Sequence, residues 1–162
     1  MNGRDDDRRD RLSDVFLDED TIPRGAIEAD HERSVAIFDL VEENSFAIPG
    51  RDDGPYTLTI SQEESKFTFD VRTSDGEQAV SIVVSITPFR ALLRDYFLVC
   101  ETYYSAIRTA SPRQIEAIDR ERTKLHNEGA EMIGARLNEK VTIDQNTSRR
   151  LFTLISTLRW KI

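Results

Sequence analysis

With a single cysteine, Cys100, the 162-residue chain has no intramolecular disulfide and no paired-cysteine zinc or redox motif. Long apolar runs are missing too. The longest uncharged one, Ala79 to Phe89, is about half a membrane span and contains Pro88. No apolar segment near the start resembles a signal peptide, because the chain opens MNGRDDDRRD. These absences point to the reducing cytoplasm. An excess of positive charge is also absent: the net charge of −8 argues against general DNA binding, which calls for a basic domain. Histidine occurs only at His31 and His126, which leaves little material for a metal centre.

What is present is ordinary for a globular protein, with 38% hydrophobic and 32% charged residues, enough to bury a core in one domain. Residues 1–11 alternate acids and arginines with almost nothing to bury and read as a disordered leader. Residues 12–162 then read as a single α+β domain. LSDVFLDE offers a short strand, with Val15 and Leu17 on one face, and TIPRG a turn. Asp30 reads as an N-cap before a helix whose apolar positions are Val35, Phe38 and Val41, with Ile37 and Leu40.

Three runs of period-two alternation follow. Tyr56, Leu58 and Ile60, then Phe67, Phe69 and Val71, then Val80, Ile82, Val84 and Ile86 each form one dry face. Short connections, one containing Asp75-Gly76, make these an antiparallel meander. The period then changes. Thr87-Pro88 suggests a cap and a first helical proline, and Phe89, Leu92, Leu93, Tyr96, Cys100, Tyr103 and Ile107 make a helical stripe. Ser111-Pro112-Arg113-Gln114 has capping-box spacing and opens a second long helix, in which Gly129 suggests a bend. KVTID suggests a short edge strand, and NTSRRLFTLISTLRW a last helix burying Leu151, Leu154, Ile155 and Leu158. The expected fold is a small antiparallel sheet, the meander plus the N-terminal strand. Helices pack on its one face, and a long helical hairpin fills the C-terminal half.

The stretches DHERSVAIFDLVEENSF, GPYTLTI, TPFRALLRDYF, SPRQIEAIDRERTKLHNEG and SRRLFTLISTLRWK together resemble uncharacterised protein family 0262, from about Leu12 to the C-terminus. The resemblance implies a bacterial cytosolic protein. It carries over no activity, cofactor or catalytic residue.

Candidate chemistry therefore rests on the residues. His31-Glu32 begins an HExxH pattern, but the position four residues after His31 is Val35, so the second zinc ligand is missing. His31, Glu32 and His126 remain a possible polar site, with no metal and no cofactor expected. Cys100 shares a stripe with Tyr96 and Tyr103 and reads as a small buried hydrophobe rather than a nucleophile. Tyr96, Tyr103 and Tyr104 read as core or subunit interface rather than a base-stacking platform. Arg90, Arg149 and Arg150 sit in first turns of helices, where cations oppose the helix dipole and phosphate is favoured. The competing reading is ion pairing, since Glu28 to Glu43 carries a net −5 and Asp144 to Ile162 a net +3. The leading expectation is a non-enzymatic cytoplasmic protein acting through protein contacts as a homodimer. The alternative is a binder of phosphate-bearing ligands or RNA, or an enzyme acting on them, with an anion site at helix N-termini centred on the arginines.

Overall fold

A computed structural model describes residues 8–158. The class is α+β, as expected. The elements run β1 (Leu12–Leu17), α1 (Ile27–Glu42), β2 (Phe46–Ala47), β3 (Tyr56–Glu63), β4 (Lys66–Thr73) and β5 (Gln78–Ser85). A 3-10 turn, Thr87–Phe89, leads into α2 (Arg90–Thr109), followed by α3 (Pro112–Leu137), β6 (Thr142–Ile143) and α4 (Gln145–Ser156). No helix among the described residues is long and apolar enough to cross a membrane.

The main sheet has the order β1-β3-β4-β5. The β3-β4-β5 meander is antiparallel, with one register shift between Val71 and Arg72 in the β4-β5 pairing, and its alternation buries Tyr56, Leu58, Ile60, Phe67, Phe69, Val71, Ile82, Val84 and Ile86. Its second turn places Gly76 at φ 91°, a conformation that suits glycine.

The sheet as a whole is mixed rather than antiparallel, because β1 pairs parallel with β3 through the α1 crossover. Alternation reports which face is dry and is silent about strand direction. A register shift between Leu12 and Asp14 also changes which β1 residues turn inward: Leu12 and Val15 are buried, and Leu17 is only half-buried.

Helix α1 starts earlier than Asp30, with Ala26 in the cap position. The Asp30 carboxylate instead accepts from the Gly25 N–H at 3.1 Å, one turn back. The apolar stripe read from the sequence is only partly the buried one: Leu40 is buried and Ile37 and Val41 pack against the core, but Val35 and Phe38 do not. Ala29, Arg33, Ala36 and Leu40 face the core, while Val35 and Phe38 are 45% and 66% exposed. Ala29 and Ala36 let α1 lie close against the body, and the larger Val35 and Phe38 are left outside.

At the start of α2, Thr87 contributes no side-chain cap; the Ser85 hydroxyl accepts the Thr87 N–H at 3.3 Å. Ser111 and Gln114 form the expected reciprocal capping box, at 3.3 and 3.0 Å. Helix α3 runs through Gly129 as one helix. The glycine lets the Phe152 ring of α4 press against the α3 backbone, where a Cβ would collide with it.

The last helix is capped by Asp144, whose carboxylate accepts from the Thr147 N–H at 2.8 Å. It buries Leu151, Leu154 and Ile155, with Leu158 buried in the turn beyond it. The remainder of that expected helix, residues 159–160, lies outside the described residues. The short strand expected in KVTID pairs with β2 as a separate two-stranded sheet.

Of the expected leader, residues 1–7 lie outside the described residues. In the rest, Arg8 donates to the Asn44 carbonyl, the Asp10 carbonyl accepts from Phe46, and the Arg11 carbonyl accepts from Tyr56. Two buried polar side chains tie the ends together. Asn44 accepts the Leu12 N–H at 2.7 Å and donates to the Leu12 and Leu40 carbonyls at 3.0 and 2.8 Å. Arg33 donates to the carbonyls of Thr157 at 3.2 Å, Leu158 at 2.9 Å and Pro23 at 3.0 Å.

Candidate functional site: a cleft between two helices

Helices α1 and α2 border a cleft of about 540 Å³ whose floor is the last turn of α4. The α1 wall carries His31, Glu32, Val35 and Asp39. Opposite it on α2 stand Tyr96, Phe97, Cys100, Glu101 and Tyr104, the i, i+4 spacing that lines up one helix face. Thr153, Ser156 and Thr157 supply the floor.

The floor hydroxyls are already committed as donors. Thr153 donates to the Arg149 carbonyl at 3.1 Å, Ser156 to Thr153 at 2.7 Å and Thr157 to Leu154 at 2.6 Å. With its proton spent, the Thr153 oxygen accepts from His126 Nε2, 2.7 Å away. This assigns the Nε2–H tautomer and leaves His126 Nδ1 buried without a partner among the described residues. The His126 ring lies edge-on to Phe152, with centroids 5.1 Å apart, and tilted against Tyr96 at 5.8 Å. Burial, reinforced by the charges of Arg149 and Arg122, pushes its pKa down to about 4. The imidazole is neutral at pH 7.

Burial also pushes the Cys100 thiol up, opposed by its hydrogen bond with Tyr96 and the Arg122 charge and assisted by Glu32. A thiol shifted in that direction is not an activated thiolate. The Tyr96 phenol is likewise raised, chiefly by burial and then by Cys100.

His31 and Glu32 therefore share one cleft, while His126 stands behind its floor, joined to it through Thr153. No group of three or more His, Cys, Asp or Glu side chains among the described residues is placed to hold a metal ion. The tyrosines divide: Tyr96 packs on Phe152 at 5.6 Å, Tyr103 lies 3.9 Å beneath the Arg122 guanidinium, and Tyr104 is exposed at the cleft mouth.

The arginines go to different surroundings. Arg150 Nη2 is 3.9 Å from Glu43 Oε1, in a smaller adjoining cleft that also holds Asp39 and Glu42. Arg149 is felt electrostatically by His126. Arg90 opens α2 and lines neither of these two clefts.

Asp39, Phe97, Glu101 and Thr153 are site residues that reading the sequence missed. Phe97 and Glu101 stand four residues apart beside Tyr104, a spacing that could have flagged a shared face. Nothing local points across to Asp39.

A protein-family model described as Uncharacterised protein family (UPF0262) matches residues 9–161, a span holding every residue of the cleft. A UPF0262 protein of Methylobacterium radiotolerans is 54% identical over 93% of this chain and 94% of its own. Another, of Nitrobacter winogradskyi, is 50% identical over 97% of this chain and 94% of its own. A third, of Rhizobium etli, is 52% identical over 93% and 96%. No solved structure matches the chain.

Proposed function

We propose that this chain, which belongs to the uncharacterised protein family UPF0262, is a non-enzymatic cytoplasmic protein that acts through protein contacts and pairs with a second copy of itself. The observation that carries this reading is the stripe on α2. It begins at Leu93, which is fully buried, passes Phe97 and Cys100 at the cleft, and ends at Tyr104 and Ile107, which are 63% and 51% exposed. The apolar face continues past the point where its own chain covers it. Val35 of the facing helix, 45% exposed, adds apolar surface on the same cleft. Uncovered apolar area of this kind drives association, at roughly 25 cal/mol for each Å² removed from water. Aromatic residues are enriched in such interfaces, and a homodimer uses one patch twice.

The non-enzymatic part is supported by the state of the nucleophile candidates. The Cys100 thiol is raised by burial, and the Thr153 proton is spent on a backbone carbonyl. Sedimentation velocity at micromolar concentration tests the pairing. The expected mass is twice the 18.6 kDa of one chain. Ile107→Glu should return the monomer with an unchanged circular dichroism spectrum. A monomeric wild type removes the pairing.

A further inference from the structure

We propose that the cleft between α1 and α2 is a binding site for an organic cation, an ammonium group carried on an aliphatic body. The proposal rests on the cleft's donor and acceptor inventory, and the cleft shares Val35, Phe97, Cys100 and Tyr104 with the self-association face. Three carboxylates, Glu32, Asp39 and Glu101, line the cleft against one basic side chain, His31, and no lysine or arginine among the described residues joins them. Asp39 and Glu101 form no ion pair with any described residue. Two arginines outside the lining are engaged with other acids: Arg122 with Asp119 at 2.6 Å and Arg150 with Glu43 at 3.9 Å.

The floor adds to this bias. Ser156 and Thr157 have directed their hydroxyl protons to backbone carbonyls, so toward an occupant they act as acceptors. An ammonium is the complementary group, with three donors and no acceptor. Hydrogen bonds from it to carboxylates are charge-assisted. A carboxylate or phosphate ligand would meet like charge on both walls.

Aromatic rings make the third component. Tyr96, Phe97 and Tyr104 line the α2 side, and ring faces attract cations once water is excluded. The chain makes this interaction itself nearby, with the Arg122 guanidinium 3.9 Å over Tyr103. Val35 and Ala36 offer apolar contact for the body of the ligand. The volume, about 540 Å³, lies within the range of small-molecule sites, roughly 300–1,000 Å³.

The test uses the full chain and three probes matched in length: hexylamine, 1-hexanol and hexanoate, followed by amide shifts in NMR. Hexylamine should bind saturably and shift the amides of Asp39, Cys100, Glu101 and Thr153. The alcohol and the acid should bind at least about tenfold more weakly, a difference of about 1.4 kcal/mol. Replacing Asp39→Asn together with Glu101→Gln should weaken hexylamine by a similar factor while the melting temperature holds. Ile107→Glu, designed to break self-association, should leave hexylamine binding intact, which separates this proposal from the dimer. Equal binding of all three probes would reduce the cleft to a plain apolar surface and overturn the proposal. So would unchanged affinity in the double variant. If the same amides move with protein concentration alone and hexylamine moves none, a second copy fills the cleft and the ammonium reading falls.

Discussion

The ring of Phe152 occupies the space in which a side chain at residue 129 would stand. This contact sets how closely α3 and α4 approach. It also positions the rings behind the cleft, because Phe152 packs edge-on against both Tyr96 and His126.

Gly129→Ala should therefore destabilise the protein although it improves helix propensity. Propensity contributes about 1 kcal/mol in favour, and overpacking a filled core costs about 1–3 kcal/mol. Urea denaturation should show a lowered midpoint. Adding Phe152→Leu should recover part of the loss, a non-additivity expected only of residues in contact.

Arg33 supplies a second test. Its guanidinium holds the Thr157 and Leu158 carbonyls at the end of α4 from a buried position on α1. Arg33→Met leaves those acceptors unmet, at about 1–3 kcal/mol for each stranded group. Arg33→Lys should fail to rescue, because one ammonium cannot span the forked geometry. Hydrogen exchange should show the last turn of α4 opening in both variants.

The pH dependence of stability should carry a signature of His126. An unfolded chain takes up this proton near the ordinary 6.5, while the folded chain resists it down to about 4. The contribution is complete above pH 6.5 and is lost as pH falls from there toward 4, because the unfolded state then binds the extra proton. His126→Gln should flatten the melting-temperature profile between those two values. Arg149→Gln should raise the His126 pKa, since the Arg149 charge helps to lower it.

Arg150 makes a partly exposed pair with Glu43 at 3.9 Å, beside Asp39 and Glu42. Pairs of this kind contribute about 0–1 kcal/mol. Arg150→Gln should thus change thermal stability very little. With three carboxylates nearby, millimolar phosphate should not raise the wild-type melting temperature. A rise that Arg149→Gln with Arg150→Gln abolishes would establish an anion site and return the arginines to the centre of the function.

The elements most legible in the sequence were those whose signals are local. Strict alternation in Tyr56–Ile60 and Phe67–Val71 reads as strand without reference to anything distant, and the Ser111–Gln114 spacing satisfies its own helix end. The direction of β1 was not legible, because parallel pairing with β3 is decided by a crossover rather than by composition. The buried face of α1 was misread for a related reason. Phe38 outranks Ala36 in hydrophobicity, yet close approach to the body selects the smaller side chain. In the site, His31 and Glu32 stand out as a pair, whereas no motif singles out Asp39 or Glu101. What joins them is the meeting of α1 and α2 above α4, a tertiary event with no sequence period.

The span of the Arg33 clamp has a consequence for synthesis. Its acceptors at Thr157 and Leu158 are 124 and 125 residues downstream, and β2 waits similarly for β6. On the ribosome the meander can close as soon as Ser85 has emerged, but α1 must remain without its final partners until nearly the whole chain has been made. Nascent chains stalled between Ser85 and Gln145 would hold a finished hairpin sheet beside a helix whose arginine still lacks its Thr157 and Leu158 acceptors. Such chains are the ones expected to recruit chaperones.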